Sequence, residues 1–148
     1  MPSRAPIALV AALALALVTS GCARAFEVRI EENASSLTGA QAERLAATTD
    51  ISALASVGST EAVAMRGRVL ADLRTRGTLG ARAADLLTAG FPKDTAAVPV
   101  LVRSGKVDGV DAVLVVEAFG SSGSDLTHRR LWVFNAASGA VLRAASFR

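Results

Sequence analysis

The sequence holds a single cysteine, Cys22, and a single histidine, His128. One cysteine excludes an intramolecular disulfide and a cysteine-rich metal site, so the folded part of the chain must stand on packing. One histidine excludes a zinc site built from several imidazoles, and no carboxylate cluster accompanies it at ligand spacing. There is no G-x-S-x-G nucleophile elbow, no internal repeat and no low-complexity tract. Nor is there a large excess of one charge: the formal net charge is +3, although the pI is near 10.

What the sequence does have is an uncharged run from Ala5 to Cys22, preceded only by Arg4. Ile7 to Val18 is an unbroken block of Ala, Leu, Val and Ile, which has the length and composition of a secretory h-region. Thr19, Ser20 and Gly21 then supply the small side chains that signal peptidases accommodate, and Cys22 follows.

Ser20-Gly21-Cys22 behind such a run resembles the bacterial lipobox, with Thr19 standing where that family usually carries Leu. The resemblance implies that the Cys22 thiol receives a diacylglycerol, that the chain is cut before it, and that the new amino group is acylated. It places the protein at the cell membrane, lipid-anchored on the extracytoplasmic side. Each buried methylene adds about 0.8 kcal/mol, and two acyl chains suffice for stable anchoring. Two alternatives stay open: an uncleaved transmembrane helix, since the run reaches the lower limit of about 17 residues, and an ordinary signal peptide cut after Ala23 or Ala25.

The chain therefore divides into a lipoprotein signal peptide (1–21), a lipid anchor and tether (22–25), and one domain of ordinary size (26–148). Membrane lipid, through Cys22, is the expected partner. An exported chain rarely meets nucleic acid, so none is expected. Acids outnumber bases up to Glu61 and bases lead afterwards, which leaves an anionic envelope surface or a protein as further partners. Arg129, Arg130, Arg143 and Arg148 form a candidate basic patch on the terminal hairpin. No cofactor is expected.

The periodicity predicts an α+β fold: an N-terminal strand, two to three helices, then a four-stranded antiparallel meander with the helices on one face. Phe26, Val28 and Ile30 alternate with charged residues, as in a half-buried strand. Thr38 and Gln41 have the spacing of a capping box. Asp50 caps a short turn containing Ile51, Leu54 and Val57. The strongest helix runs from Ser59 or Thr60 to Thr75 or Arg76. It carries Met65, Val69 and Leu73 on one face, Arg66, Arg68, Asp72, Arg74 and Arg76 elsewhere, and Gly67 where close packing is expected. Thr78 is expected to cap the next helix and Gly90 to end it in the left-handed region, with Phe91 folding back on Leu86.

Beyond Ala97 the period becomes two. Pro99 confines the first meander strand to an edge or a strand start, and Ala112 to Phe119 is apolar on both faces except at Glu117. Leu131 to Phe134 is the next strand. Asn135 to Gly139 reads as a hairpin loop, and the last strand follows, with Val141 and Leu142 inside.

Three constellations bear on function. His128, Asp125 and a serine of one loop (Ser121, Ser122 or Ser124) have the residue types of a hydrolytic triad, but one flexible loop holds such geometry poorly. Glu117 either faces outward, pairs with Arg103 or Arg130, or lies in a ligand cleft, and Trp132 serves the core or stacks on a ligand. The reading favoured by the sequence is a non-catalytic binding or scaffolding module of the cell envelope. The rivals are a small hydrolase using the Ser/His/Asp loop and a carrier holding a hydrophobic ligand between helices and sheet. A pocket of roughly 300 Å³ or more there favours the carrier.

Overall fold

A computed structural model describes residues 26–120 and 125–148. The expected signal peptide (1–21), Cys22, the expected tether (22–25), and Ser121, Ser122 and Ser124 lie outside the described residues.

Among the described residues the chain runs β1 (Arg29–Glu31), α1 (Gly39–Thr48), a 3-10 turn (Ser52–Leu54), α2 (Ser59–Thr75), α3 (Gly77–Ala89), β2 (Ala97–Val107), β3 (Val110–Phe119), β4 (His128–Asn135) and β5 (Val141–Phe147). The strands form one sheet in the order β1-β2-β3-β4-β5. The last four make the expected antiparallel meander, and β1 joins its edge in parallel, with Ile30 opposite Val102. The fold is α+β, with a mixed rather than wholly antiparallel sheet.

Local sequence explains several boundaries. Thr38 and Gln41 form the capping box: Thr38 Oγ1 accepts from the Gln41 N–H at 3.2 Å, and Gln41 Oε1 accepts from the Thr38 N–H at 2.7 Å. Ala42 and Ala46 on α1 are fully buried, and their short side chains allow the helix to lie close to its neighbours. Asp50 Oδ1 accepts from the Ser52 N–H at 2.9 Å; this backbone bond, with the Ser52 side chain, lowers the Asp50 pKa below its ordinary value. Asp108 and Gly109 both have positive φ, +49° and +82°, as a two-residue type I′ hairpin requires. Gly139 takes its left-handed conformation at φ +76°.

Pro99 lies in β2, which is an inner strand, yet β1 covers only the stretch from Leu101 to Arg103. The proline is the third residue of β2, before the stretch that β1 pairs and beside a register shift between Pro99 and Leu101, so on the β1 side nothing calls for its missing N–H.

The structure corrects six expectations. The helices lie on both faces of the sheet. Arg143, opposite Val133, reaches Glu43 on α1, whereas Glu117, opposite Arg130, reaches Arg66 on α2. Alternation along β3 and β4 puts these two sets on opposite faces. α1 covers β4 and β5, while α2 and α3 cover β2 and β3. Burial of every residue from Ala112 to Ala118 follows from this arrangement.

The remaining corrections are local. Thr78 does not cap α3: the N-cap position falls on Arg76 and makes no side-chain cap bond, because α2 runs almost directly into α3. Gly90 ends α3 at φ −99°, in the right-handed region. Val141 and Leu142 are 52% and 46% exposed rather than inside, since β5 is the sheet edge and a register shift there separates the Val133–Arg143 and Phe134–Val141 pairs. β4 begins at His128, three residues earlier than expected, which brings Arg129 and Arg130 into the strand.

Gly67 is the sixth correction. A Cβ there would meet nothing within 4 Å, so no close packing demands the glycine. The close approach falls instead at Gly80, where an added Cβ would collide with the Leu73 carbonyl oxygen at the α2–α3 junction. Gly80→Ala is therefore expected to cost about 1–3 kcal/mol, whereas Gly67→Ala is expected to stabilise by up to about 1 kcal/mol. Urea midpoints at unchanged m-value measure both.

Candidate functional site

Glu117 lies near the C-terminal end of β3, two residues before Phe119, with none of its surface exposed. A carboxylate in that position is stable only if its charge is matched and its oxygens are bonded. Four donors converge on it. Arg66 Nη1 from α2 binds Oε1. Arg130 Nη2 and Nε from β4 approach Oε2 at 3.1 and 3.3 Å, and Trp132 Nε1 donates to the same oxygen at 2.8 Å.

The positions follow from the elements. Arg130 faces Glu117 directly across the β3–β4 ladder, and Trp132 is two residues along on the same face. Arg66 comes down from α2 and is 97% buried; its Nη1 also donates to the Ala97 carbonyl at 2.8 Å, and its Nη2 to the Leu87 carbonyl at 3.3 Å. One guanidinium thus ties α2, the end of α3, the start of β2 and the end of β3 together.

Aromatic rings surround the charges. The Arg130 guanidinium carbon lies 5.0 Å from the Phe119 ring centroid, 5.1 Å from that of Trp132 and 6.0 Å from that of Phe91, and the Arg66 carbon lies 5.8 Å from the Phe91 ring. Such contacts are worth about 0.5–2 kcal/mol each, more when desolvated. Phe91 packs on Trp132 at 4.8 Å between centroids. Through this contact it stacks against the sheet, beside the cleft that it lines together with Leu86.

Two clefts open on either side of Phe91. One, of about 500 Å³, lies between α2 and α3 and is lined by Arg66, Gly67, Leu70, Arg74, Leu87, Thr88, Phe91, Pro92 and Lys93. The other, of about 350 Å³, lies between the end of α3 and the β4–β5 hairpin, with Leu86, Trp132, Phe134 and Val141 among its walls. The second meets the size that a helix–sheet ligand pocket requires. A third cleft, of about 550 Å³, flanks the opposite side of α2 beside Phe26 and Val28; Glu61, Arg68 and Asp72 give it mixed charge.

The other sequence candidates are dispersed. His128 opens β4, half-buried, its ring 5.5 Å from that of Phe119 and its Nδ1 3.1 Å from Thr127 Oγ1. Asp125 is exposed. Arg103 pairs with Glu31 at 2.8 Å and not with Glu117. The terminal arginines do not share one patch. Arg129 donates to the Thr49 carbonyl at 2.7 Å and Arg143 pairs with Glu43 at 2.7 Å, both on the α1 face, while Arg130 points to the other face. Among the described residues no group of three or more His, Cys, Asp or Glu is placed to hold a metal ion, and no helix is long and apolar enough to cross a membrane.

No protein-family model, curated protein or solved structure matches this chain.

Sequence reasoning found Glu117, Arg130 and Trp132 but assigned Arg66 to the polar face of α2. Its position directly after Met65, within the apolar sector, was the available signal. Removing Glu117 leaves Arg66 as an unmatched buried charge, so Glu117→Leu is expected to cost about 3–5 kcal/mol. The double variant Arg66→Met/Glu117→Leu should lose less than the sum of the two single variants, with a coupling of more than about 1 kcal/mol. Denaturant titration of all four chains checks this.

Proposed function

We propose that this protein is a lipid-anchored, non-catalytic binding module of the bacterial cell envelope, held on the extracytoplasmic side of the membrane through Cys22. The observation that carries the anchor is the apolar run ending in Ser20-Gly21-Cys22. The anchored part is the α+β domain, whose core rests on packing and on the Arg66–Glu117 pair.

The geometry supports binding over catalysis. Glu117, the fully buried carboxylate, is enclosed by donors from its own chain, so no substrate atom reaches it. By contrast, the clefts beside Phe91 leave apolar and cationic side chains open to a ligand. The 350 Å³ space between α3 and the sheet favours ligand carriage as the form this binding takes.

Cys22→Ser is expected to abolish incorporation of a fatty-acid analogue and to leave an intact mass without acyl groups; retained label would refute the anchor. Replacing Asp125 and His128 together is expected to leave the hydrolysis of generic esters unchanged. A fall of tenfold or more would restore the loop hydrolase.

A further inference from the structure

The cleft between α2 and α3 has an uneven chemistry. Its walls are Leu70, Leu87, Phe91 and Pro92, and its charged lining residues are Arg66, Arg74 and Lys93 with no acid among them. Arg66 is committed to Glu117, and Arg74 reaches Asp85 at 3.4 Å and Thr88 Oγ1 at 2.9 Å. Lys93 makes no ion pair among the described residues; it is exposed at the rim, just after the Phe91-Pro92 wall. An apolar trough with cations at its lip suits a ligand that is greasy along its length and negative at one end.

Gly67 gives a second and independent indication. A glycine inside a helix lowers stability relative to alanine and is usually there because another element comes close. Here a Cβ would meet only open space, and the position faces the cleft. The fold gains nothing from the missing side chain, whereas a ligand lying along α2 gains room.

We infer that this cleft binds a single-chain anionic amphiphile, an acyl chain carrying a carboxylate or a phosphate monoester. The chain lies over Gly67 between Leu70 and Phe91, and the head sits at Lys93 and Arg74. Its volume of about 500 Å³ falls within the range of small-molecule pockets. The inference rests on the binding part of the proposed function and not on the anchor: labelling at Cys22 and ligand binding succeed or fail separately.

Trp132 is the only tryptophan and packs against Phe91, which lines both this cleft and its neighbour, so its fluorescence reports occupancy through Phe91 and Gly67→Leu tells the two clefts apart. The full chain in a neutral maltoside is titrated with dodecanoate, dodecyl phosphate, dodecanol and inorganic phosphate. The two anionic amphiphiles should give a saturable change at concentrations tenfold or more below dodecanol, and inorganic phosphate should give none. Tighter binding of dodecanoate assigns the ligand to free fatty acids, and tighter binding of dodecyl phosphate to lipid phosphates. Gly67→Leu should abolish the response while leaving Tm equal or higher, and Lys93→Glu should weaken it tenfold or more. Dodecanol binding as tightly as dodecanoate, a response to inorganic phosphate alone, or unchanged binding by Gly67→Leu would each overturn the inference.

Discussion

Glu117 puts a charge near the end of an otherwise apolar, fully buried stretch of β3, and much of the α2–α3 side of the domain is arranged to accommodate it. Taking a carboxylate out of water costs several kcal/mol even after relaxation, so the surrounding structure must return that energy through charge and hydrogen bonds. Arg66 from α2, with Arg130 and Trp132 from β4, does so from two directions. A hydrophobic pair of equal volume would stabilise the fold as well or better. What the ion pair adds is orientation: with its other hydrogen bonds Arg66 holds α2 at one height over the sheet, through the carbonyls of Ala97 and Leu87.

That height determines what the two sides of the sheet offer. On one side α1 seals β4 and β5 through small buried alanines and the Arg143–Glu43 and Arg129–Thr49 contacts. On the other side α2 and α3 sit over β2 and β3, leaving the outer part of the sheet, with Trp132 and Val141, only partly covered. Phe91 closes part of this gap by stacking on Trp132, and the clefts lie to either side of it. Available binding space and the buried ion pair are therefore neighbours on the same face, joined by Phe91, which contacts both arginines.

Much of this was legible in the sequence because the relevant forces are local. Thr38 and Gln41 form their capping box within one turn of helix, and the Asn135–Gly139 loop closes its hairpin with Gly139 in the left-handed region at φ +76°. The alternation Phe26-Val28-Ile30 and the apolar stretch from Ala112 to Phe119 marked an outer and a central strand. That same stretch also argued for cover on both faces, because a strand apolar on each side needs two layers above and below it. Giving all the helices to one face overlooked that signal.

The sequence by itself determined the helices, most of the strands and the hairpin turns, since each depends on residues within a few positions of one another. Tertiary structure alone decided that Arg66 is buried, that Gly67 faces open space while Gly80 meets a backbone, and that Val141 and Leu142 lie exposed at an edge. These outcomes depend on partners far away in the chain: Arg66 and Glu117 are 51 positions apart. Helical periodicity can say that an arginine borders the apolar stripe of α2, but only the packed sheet supplies the carboxylate that makes its burial favourable.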